Sequence, residues 1–188
     1  MKKLLVIPFI YFAAVSCTSV TVHSDYDKTV DFTKYKTFEF YGWTEESDKV
    51  LNQFDKERIE KAFAEEFAKR DLQFVKSDAD MVVSLFLVVD QKTSTTAYTN
   101  NYGGAGYGYG ARWGWYGGYG QSTTTYSEKD YQEGTLVVDV FDKGDKNLIW
   151  QGVGQKTVEE KPEKRERTIP YVAESIMKSF PIKPVDKK

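Results

Sequence analysis

Met81-Val82-Val83-Ser84-Leu85-Phe86-Leu87-Val88-Val89 decides the fold, because it is apolar on both alternating faces, as a strand in the middle of a sheet must be. Before it, Asn52 to Arg70 carries Ile59, Ala62, Phe63 and Phe67 at helical spacing. The pairs Glu57 to Lys61, Glu65 to Lys69 and Glu66 to Arg70 add i,i+4 support, and Asp55 is the expected N-cap. Upstream again, Ser19 to Tyr26 and Lys34 to Phe40 alternate as strands. The passage from Phe38 through the helix to Val83 predicts a right-handed parallel crossover. Downstream, Thr135 to Phe141 and Leu148 to Gln155 flank Asp142-Lys143-Gly144-Asp145-Lys146, a loop suited to an antiparallel hairpin. A second helix is predicted from Thr168 to Phe180, with Ile169, Val172, Ala173, Ile176, Met177 and Phe180 on one stripe, Pro170 in its first turn and Pro181 as its stop. The expectation is an α+β fold: a mixed, mostly antiparallel sheet in the order β-β-α-β-β-β-α, with two helices packed on one face.

Between the central strand and the hairpin lies an insertion, residues 91 to 133, with no helical pattern and far longer than an ordinary connection. From Thr93 to Ser127 it holds nine of the 14 glycines, seven of the 13 tyrosines and a single charge, Arg112. Its Thr-rich flanks, Lys92 to Tyr98 and Gln121 to Tyr126, suit extension of the neighbouring strands into a long hairpin. The tip offers flat rings that stack on sugars or pack on proteins, so Tyr107, Tyr109, Trp113, Trp115, Tyr116 and Tyr119 are the candidate binding residues. The same rings suit self-association.

The amino terminus reads as an address. Two lysines precede an apolar run from Leu4 to Val15, too short to span a bilayer, so residues 1 to 16 are expected to be a signal peptide. Ala14-Val15-Ser16-Cys17 resembles the lipobox of bacterial lipoproteins, with Ala where Leu is usual. That resemblance implies cleavage before Cys17 and acylation of its thiol. The mature chain, residues 17 to 188, would be one lipid-anchored domain with membrane lipid as its first partner. Thr18 rather than Asp after the cysteine points to the outer membrane, with the face left open.

Composition narrows the chemistry. With 26 basic and 28 acidic residues the chain lacks the cationic surplus that nucleic acid demands. One Cys and one His leave no disulfide framework and little for a metal site, and no cofactor is expected. Gly106-Tyr107-Gly108-Tyr109-Gly110-Ala111 matches a relaxed dinucleotide fingerprint but opens no helix. His23 stands alone as a tether or edge-strand residue, and Lys156 to Arg167, KTVEEKPEKRER, reads as a solvated connection.

A family resemblance rests on Asp25-Tyr26-Asp27, on Asp31-Phe32-Thr33-Lys34-Tyr35-Lys36-Thr37-Phe38, on Gly134 to Asp142 and on Leu148-Ile149-Trp150-Gln151-Gly152. These segments resemble the bacterial envelope lipoproteins that carry the domain of unknown function numbered 4136. The resemblance implies no assigned activity and no catalytic residues. Tyr35, Phe38, Leu136, Val138 and Trp150 read as core positions, and Gly134 and Gly152 as strand ends where the backbone bends or comes close to a neighbour. The expected function is therefore a non-enzymatic, lipid-anchored envelope protein that binds an envelope protein or glycan. Alternatives are a surface adhesin acting through the aromatic tip and a hydrolase built on a carboxylate pair.

Overall fold

A computed structural model describes residues 19–101 and 122–185. In chain order the elements are β1 (Thr21–Tyr26), a 3-10 turn (Phe32–Lys34), β2 (Thr37–Trp43), α1 (Glu45–Val50), α2 (Gln53–Ala68), β3 (Gln73–Phe74), β4 (Met81–Asn101), β5 (Ser122–Asp142), β6 (Leu148–Thr157) and α3 (Pro162–Met177). They build one open six-stranded sheet in the order β1-β6-β5-β4-β2-β3. β2 runs parallel to β4 and to β3, while β4, β5, β6 and β1 pair antiparallel in turn. The α+β class, the mixed sheet and the parallel passage from Phe38 to Met81 all match the sequence expectation.

Alternation explains where the core lies. Met81, Val83 and Leu85 on β4, Leu136, Val138 and Val140 on β5, and Trp150 on β6 point to one face. There they meet Ile59, Phe63 and Phe67 of α2 and Ala173, Ile176 and Met177 of α3 in a single buried cluster. The opposite face carries Ser84, Asp139 and Gln151, only half buried, with the Gln151 amide donating to Asp139 Oδ1 at 2.7 Å.

The family-like residues between Asp31 and Phe38 act as a peg at one end of this core. Asp31 Oδ1 accepts from the Thr33 amide at 2.9 Å, which caps the 3-10 turn and turns Phe32 inward. Phe32 meets Tyr35 and Phe180 edge to face, both ring centroids about 6 Å away. The Asp80 carboxylate accepts from the Lys36 and Thr37 amides at 2.7 and 2.8 Å, which holds the start of β2 beside the start of β4.

Several local expectations are corrected. Helix α2 is capped by Asn52, whose Oδ1 accepts from the Asp55 amide at 2.9 Å, so Asp55 is a first-turn residue and not the cap. A third, six-residue helix, α1, precedes it, and its Ser47 hydroxyl accepts from the Leu87 amide at 3.0 Å. Pairing of β4 with β2 ends at Leu85, so this contact continues the cover of the β4 edge. Helix α3 begins at Pro162, six residues before the expected Thr168, and ends at Met177. Pro170 lies in its interior, where the missing N–H deprives the Glu166 carbonyl of a helical partner. The run from Lys156 to Arg167 is mostly solvent-exposed, as expected, but it is the end of β6, a short loop and the first turns of α3 rather than a mere connection. Gly134 and Gly152 lie inside β5 and β6, not at strand ends. At Gly152 the reason is close approach, since an added Cβ would sit 2.3 Å from the Trp150 ring and 2.6 Å from Ile176.

The flanks of the insertion extend the central hairpin. β4 and β5 pair without a break from Met81↔Asp142 to Asn101↔Ser122, whereas β6 stops pairing at Glu133 and β2 at Leu85. A two-stranded ribbon of about 40 Å therefore continues beyond the six-stranded sheet, from Asp90 to Asn101 and back from Ser122.

Candidate functional site

The apolar stripe of α3 is not buried evenly. Ala173, Ile176 and Met177 are sealed against the sheet, while Ile169 and Val172, on the same face, are only half buried. Gly152 and Gly154 explain the tight half, because both leave room on β6 for Ile176. Toward its N-terminus α3 leaves a cleft of about 340 Å³ between α2, α3, the middles of β4 and β5 and the end of β6.

Leu87, Gly134, Leu136 and Gly154 form the floor, and Ile59 and Leu51 face Ile169 and Val172 across it. Val158, in the loop after β6, closes one side, and its amide donates to the Gln132 carbonyl at 2.8 Å. Gly134 keeps the floor deep: a Cβ there would stand 3.2 Å from Val158 and 3.7 Å from Leu87.

One charged group spans the two helices beside this apolar space. Asp55, 4% exposed, accepts from Arg165 Nη1 at 2.6 Å, from Arg58 Nη1 at 2.9 Å and from the Asn52 side-chain amide at 2.9 Å. Arg165 also donates to the Glu159 carbonyl at 2.7 Å and to that of Glu160 at 3.3 Å. Oδ2 thus braces α2 against α3 through Arg165, while Oδ1 is held within α2 by Arg58.

Among the described residues no group of three or more His, Cys, Asp or Glu is placed to hold a metal ion, and no helix is long and apolar enough to cross a membrane. His23 lies exposed on the edge strand β1. Cys17 and the candidate ring residues Tyr107, Tyr109, Trp113, Trp115, Tyr116 and Tyr119 lie outside the described residues.

Sequence reasoning missed the cleft as a site, although its parts carried signals. Ile169 and Val172 stood on the predicted stripe, and Pro162 is a first-turn proline that marks where α3 starts. Moving the start there places Arg165 four residues before Ile169, on the same helical face.

An open mixed sheet with α2 and α3 packed on one face and a cleft between them defines a two-layer α+β domain. The chain belongs to the family of the domain of unknown function DUF4136, whose model matches residues 22–182. Among solved structures it is similar to a PDZ domain protein from Parabacteroides distasonis (14% identity, TM-score 0.48), covering 89% of this chain but only 38% of that one. It is also similar to PelC from Paraburkholderia phytofirmans, described as a dodecamer (11% identity, TM-score 0.45, 85% and 95% of the two chains). A minor lipoprotein from Acinetobacter baumannii shares 11% identity at a TM-score of 0.31 over 77% and 91% of the two chains. No curated protein matches the sequence.

Proposed function

We propose that this chain is a non-enzymatic, lipid-anchored protein of the cell envelope whose domain binds another envelope component in the cleft between α2, α3 and the sheet. The observation that carries this reading is the cleft itself: a preformed space of about 340 Å³ with an aliphatic floor and walls and polar side chains such as Gln132, Lys156 and Thr168 on its lining, the usual character of a binding site. The lipobox-like Ala14-Val15-Ser16-Cys17 supports the anchor, and Thr18 supports the outer membrane as its destination. A binding role also suits Asp55, whose carboxylate is spent on Arg58, Arg165 and Asn52.

The test is a photo-crosslinking residue at position 168, on the α3 wall of the cleft, compared in living cells with the same residue at position 183 beyond α3. One discrete adduct at 168 and none at 183 is expected. Equal labelling at both positions refutes cleft binding.

A second reading, surface adhesion, is favoured by one observation: the ribbon from Asp90 to Asn101 places both ends of the aromatic-rich sequence 102–121 away from the core. Deleting Asn101 to Gly120 should then abolish attachment of intact cells and leave thermal unfolding unchanged. Attachment that survives the deletion ends this reading.

A further inference from the structure

The geometry points to one unbranched acyl chain as the ligand of the cleft, an inference that rests on the cleft being the binding site. The space of about 340 Å³ accommodates on the order of ten methylene-sized groups at about 30 Å³ each. Its apolar lining is aliphatic, and no aromatic ring among the described residues faces it, so it offers no platform for a sugar or a base. Its β5 floor offers a peptide no backbone edge, since Gly134 pairs with Val89 on one side and Lys156 on the other, and on the outer edge of β4 the Leu87 amide is already taken by the Ser47 hydroxyl. Of the four charged residues on the lining, Asp55 and Arg165 are satisfied by each other, by Arg58 and by the Glu159 and Glu160 carbonyls, Glu159 pairs with Lys164 at 3.6 Å, and Lys156 lies over the Tyr171 ring at 5.9 Å. A ligand rich in hydrogen-bonding groups gains little here, whereas an alkyl chain needs none.

The path of the chain adds a second observation. β1 runs antiparallel to β6 with Thr21 opposite Gln155, so the backbone entering β1 comes in at the cleft end of β6, next to Lys156. Cys17 stands four residues before Thr21, at most about 14 Å of extended chain. The acyl chain can therefore come from the protein's own anchor or from a separate membrane lipid, and the chemistry of the cleft is the same for both.

The test uses the full chain carrying Cys17→Ala, titrated with a dansylated undecanoic acid and then with octanoate, decanoate, dodecanoate and tetradecanoate as competitors. One saturable site is expected, with Kd falling about tenfold for each two methylenes until the cleft is full. Thr168→Phe and, independently, Gly134→Leu place side chains into the space and should each weaken binding at least tenfold while unfolding stays cooperative. If one of them fails to fold, the other decides. Absence of saturable binding, an affinity indifferent to chain length, or full affinity in a folded blocking variant overturns the inference. The acylated wild-type chain then separates the sources, assayed beside Cys17→Ala in one detergent in which Cys17→Ala still binds the probe: refusal by the wild type assigns the cleft to the protein's own anchor, and binding assigns it to a separate lipid. Because the variant lacks the anchor, the result stands apart from whether Cys17 is acylated. A crosslink at position 168 without acyl-chain binding would refute the ligand class and leave cleft binding intact.

Discussion

The phenol of Tyr35 donates a 2.7 Å hydrogen bond to Oδ2 of Asp142, 107 residues further along the chain. The same carboxylate accepts from Lys34 Nζ at 3.1 Å and, through Oδ1, from the Gly144 and Asp145 amides at 2.8 and 3.0 Å. One side chain thus closes the β5–β6 turn and ties it to the 3-10 turn that carries Phe32 into the core. Tyr35 is buried, so Tyr35→Phe leaves its packing in place and removes only the donor. A loss of about 1.5–3 kcal/mol is expected, as for a hydrogen bond to a charged group, read as a lower urea midpoint at unchanged slope.

The Asp142 bonds also set an acid limit. The Asp145 amide, then Tyr35 and Lys34, hold its carboxyl well below the ordinary aspartate value of 3.8. Bonds from the Lys36 and Thr37 amides lower Asp80 in the same direction. A carboxyl lowered in the folded state contributes stability that is complete above its unfolded value and is lost as the pH falls below it. The urea midpoint should therefore decline steeply below about pH 4, and Asp142→Asn should be less stable at neutral pH but flatter in acid. A variant whose acid slope equals that of the wild type would remove Asp142 from this account.

Arg70 is a buried clamp rather than the surface i,i+4 partner that its spacing from Glu66 suggests. Its guanidinium, 2% exposed, donates to Glu66 Oε2 at 2.9 Å and to the carbonyls of Glu66, Met177 and Ile182. It joins the end of α2 to the end of α3 and the tail beyond it. Arg70→Met should cost about 3–5 kcal/mol in chemical denaturation, because the buried Glu66 carboxylate then keeps only Lys69 as its ion partner and the Met177 and Ile182 carbonyls lose their donor. Adding Glu66→Met to that variant should recover part of the loss, since the half-paired buried charge is then gone. A double variant as unstable as Arg70→Met alone would contradict this.

Gly152 and Gly154 make a graded comparison. A Cβ at residue 152 meets both the Trp150 ring, at 2.3 Å, and Ile176, whereas at residue 154 it meets the outer carbons of Ile176 at 2.6 and 2.7 Å. The indole is wedged between Gly152 and Phe180, with ring centroids 5.1 Å apart, and has nowhere to move. At residue 154 the neighbours are aliphatic side-chain atoms beside the cleft that Gly154 and Val172 line, not a ring packed on both sides. Gly152→Ala should lower stability by about 1–3 kcal/mol and Gly154→Ala by less, judged by thermal unfolding.

The parts of the fold that were legible in the sequence are those fixed by long-range burial pattern. Met81 to Val89 reads as a central strand and is one, paired with β5 along its length and with β2 as far as Leu85, although only its Met81, Val83 and Leu85 face is sealed and Val88 on the other face is exposed; Tyr35, Phe38, Leu136, Val138 and Trp150 read as core and are buried. What stayed hidden depends on contacts that no spacing encodes. Asn52 and Asp55 are both good caps, and only the geometry of the turn selects Asn52. Helix α1 is short and polar, and it is held by Ser47 reaching the Leu87 amide. The cleft was obscured by charge: Arg165 sits in a run of lysines and glutamates that reads as solvated, yet its guanidinium lies on Asp55 of another helix. Arg70 misleads in the same way, since two of its three carbonyl partners belong to segments more than a hundred residues away.

The most direct measurement of the central claim is metabolic labelling with an alkyne fatty acid, followed by fractionation of cells that express the wild-type chain or Cys17→Ala. The account predicts a labelled wild-type protein in the membrane fraction and an unlabelled Cys17→Ala protein outside it. Label that persists without Cys17, or a wild-type chain that takes up none, would contradict a lipid-anchored protein of the envelope.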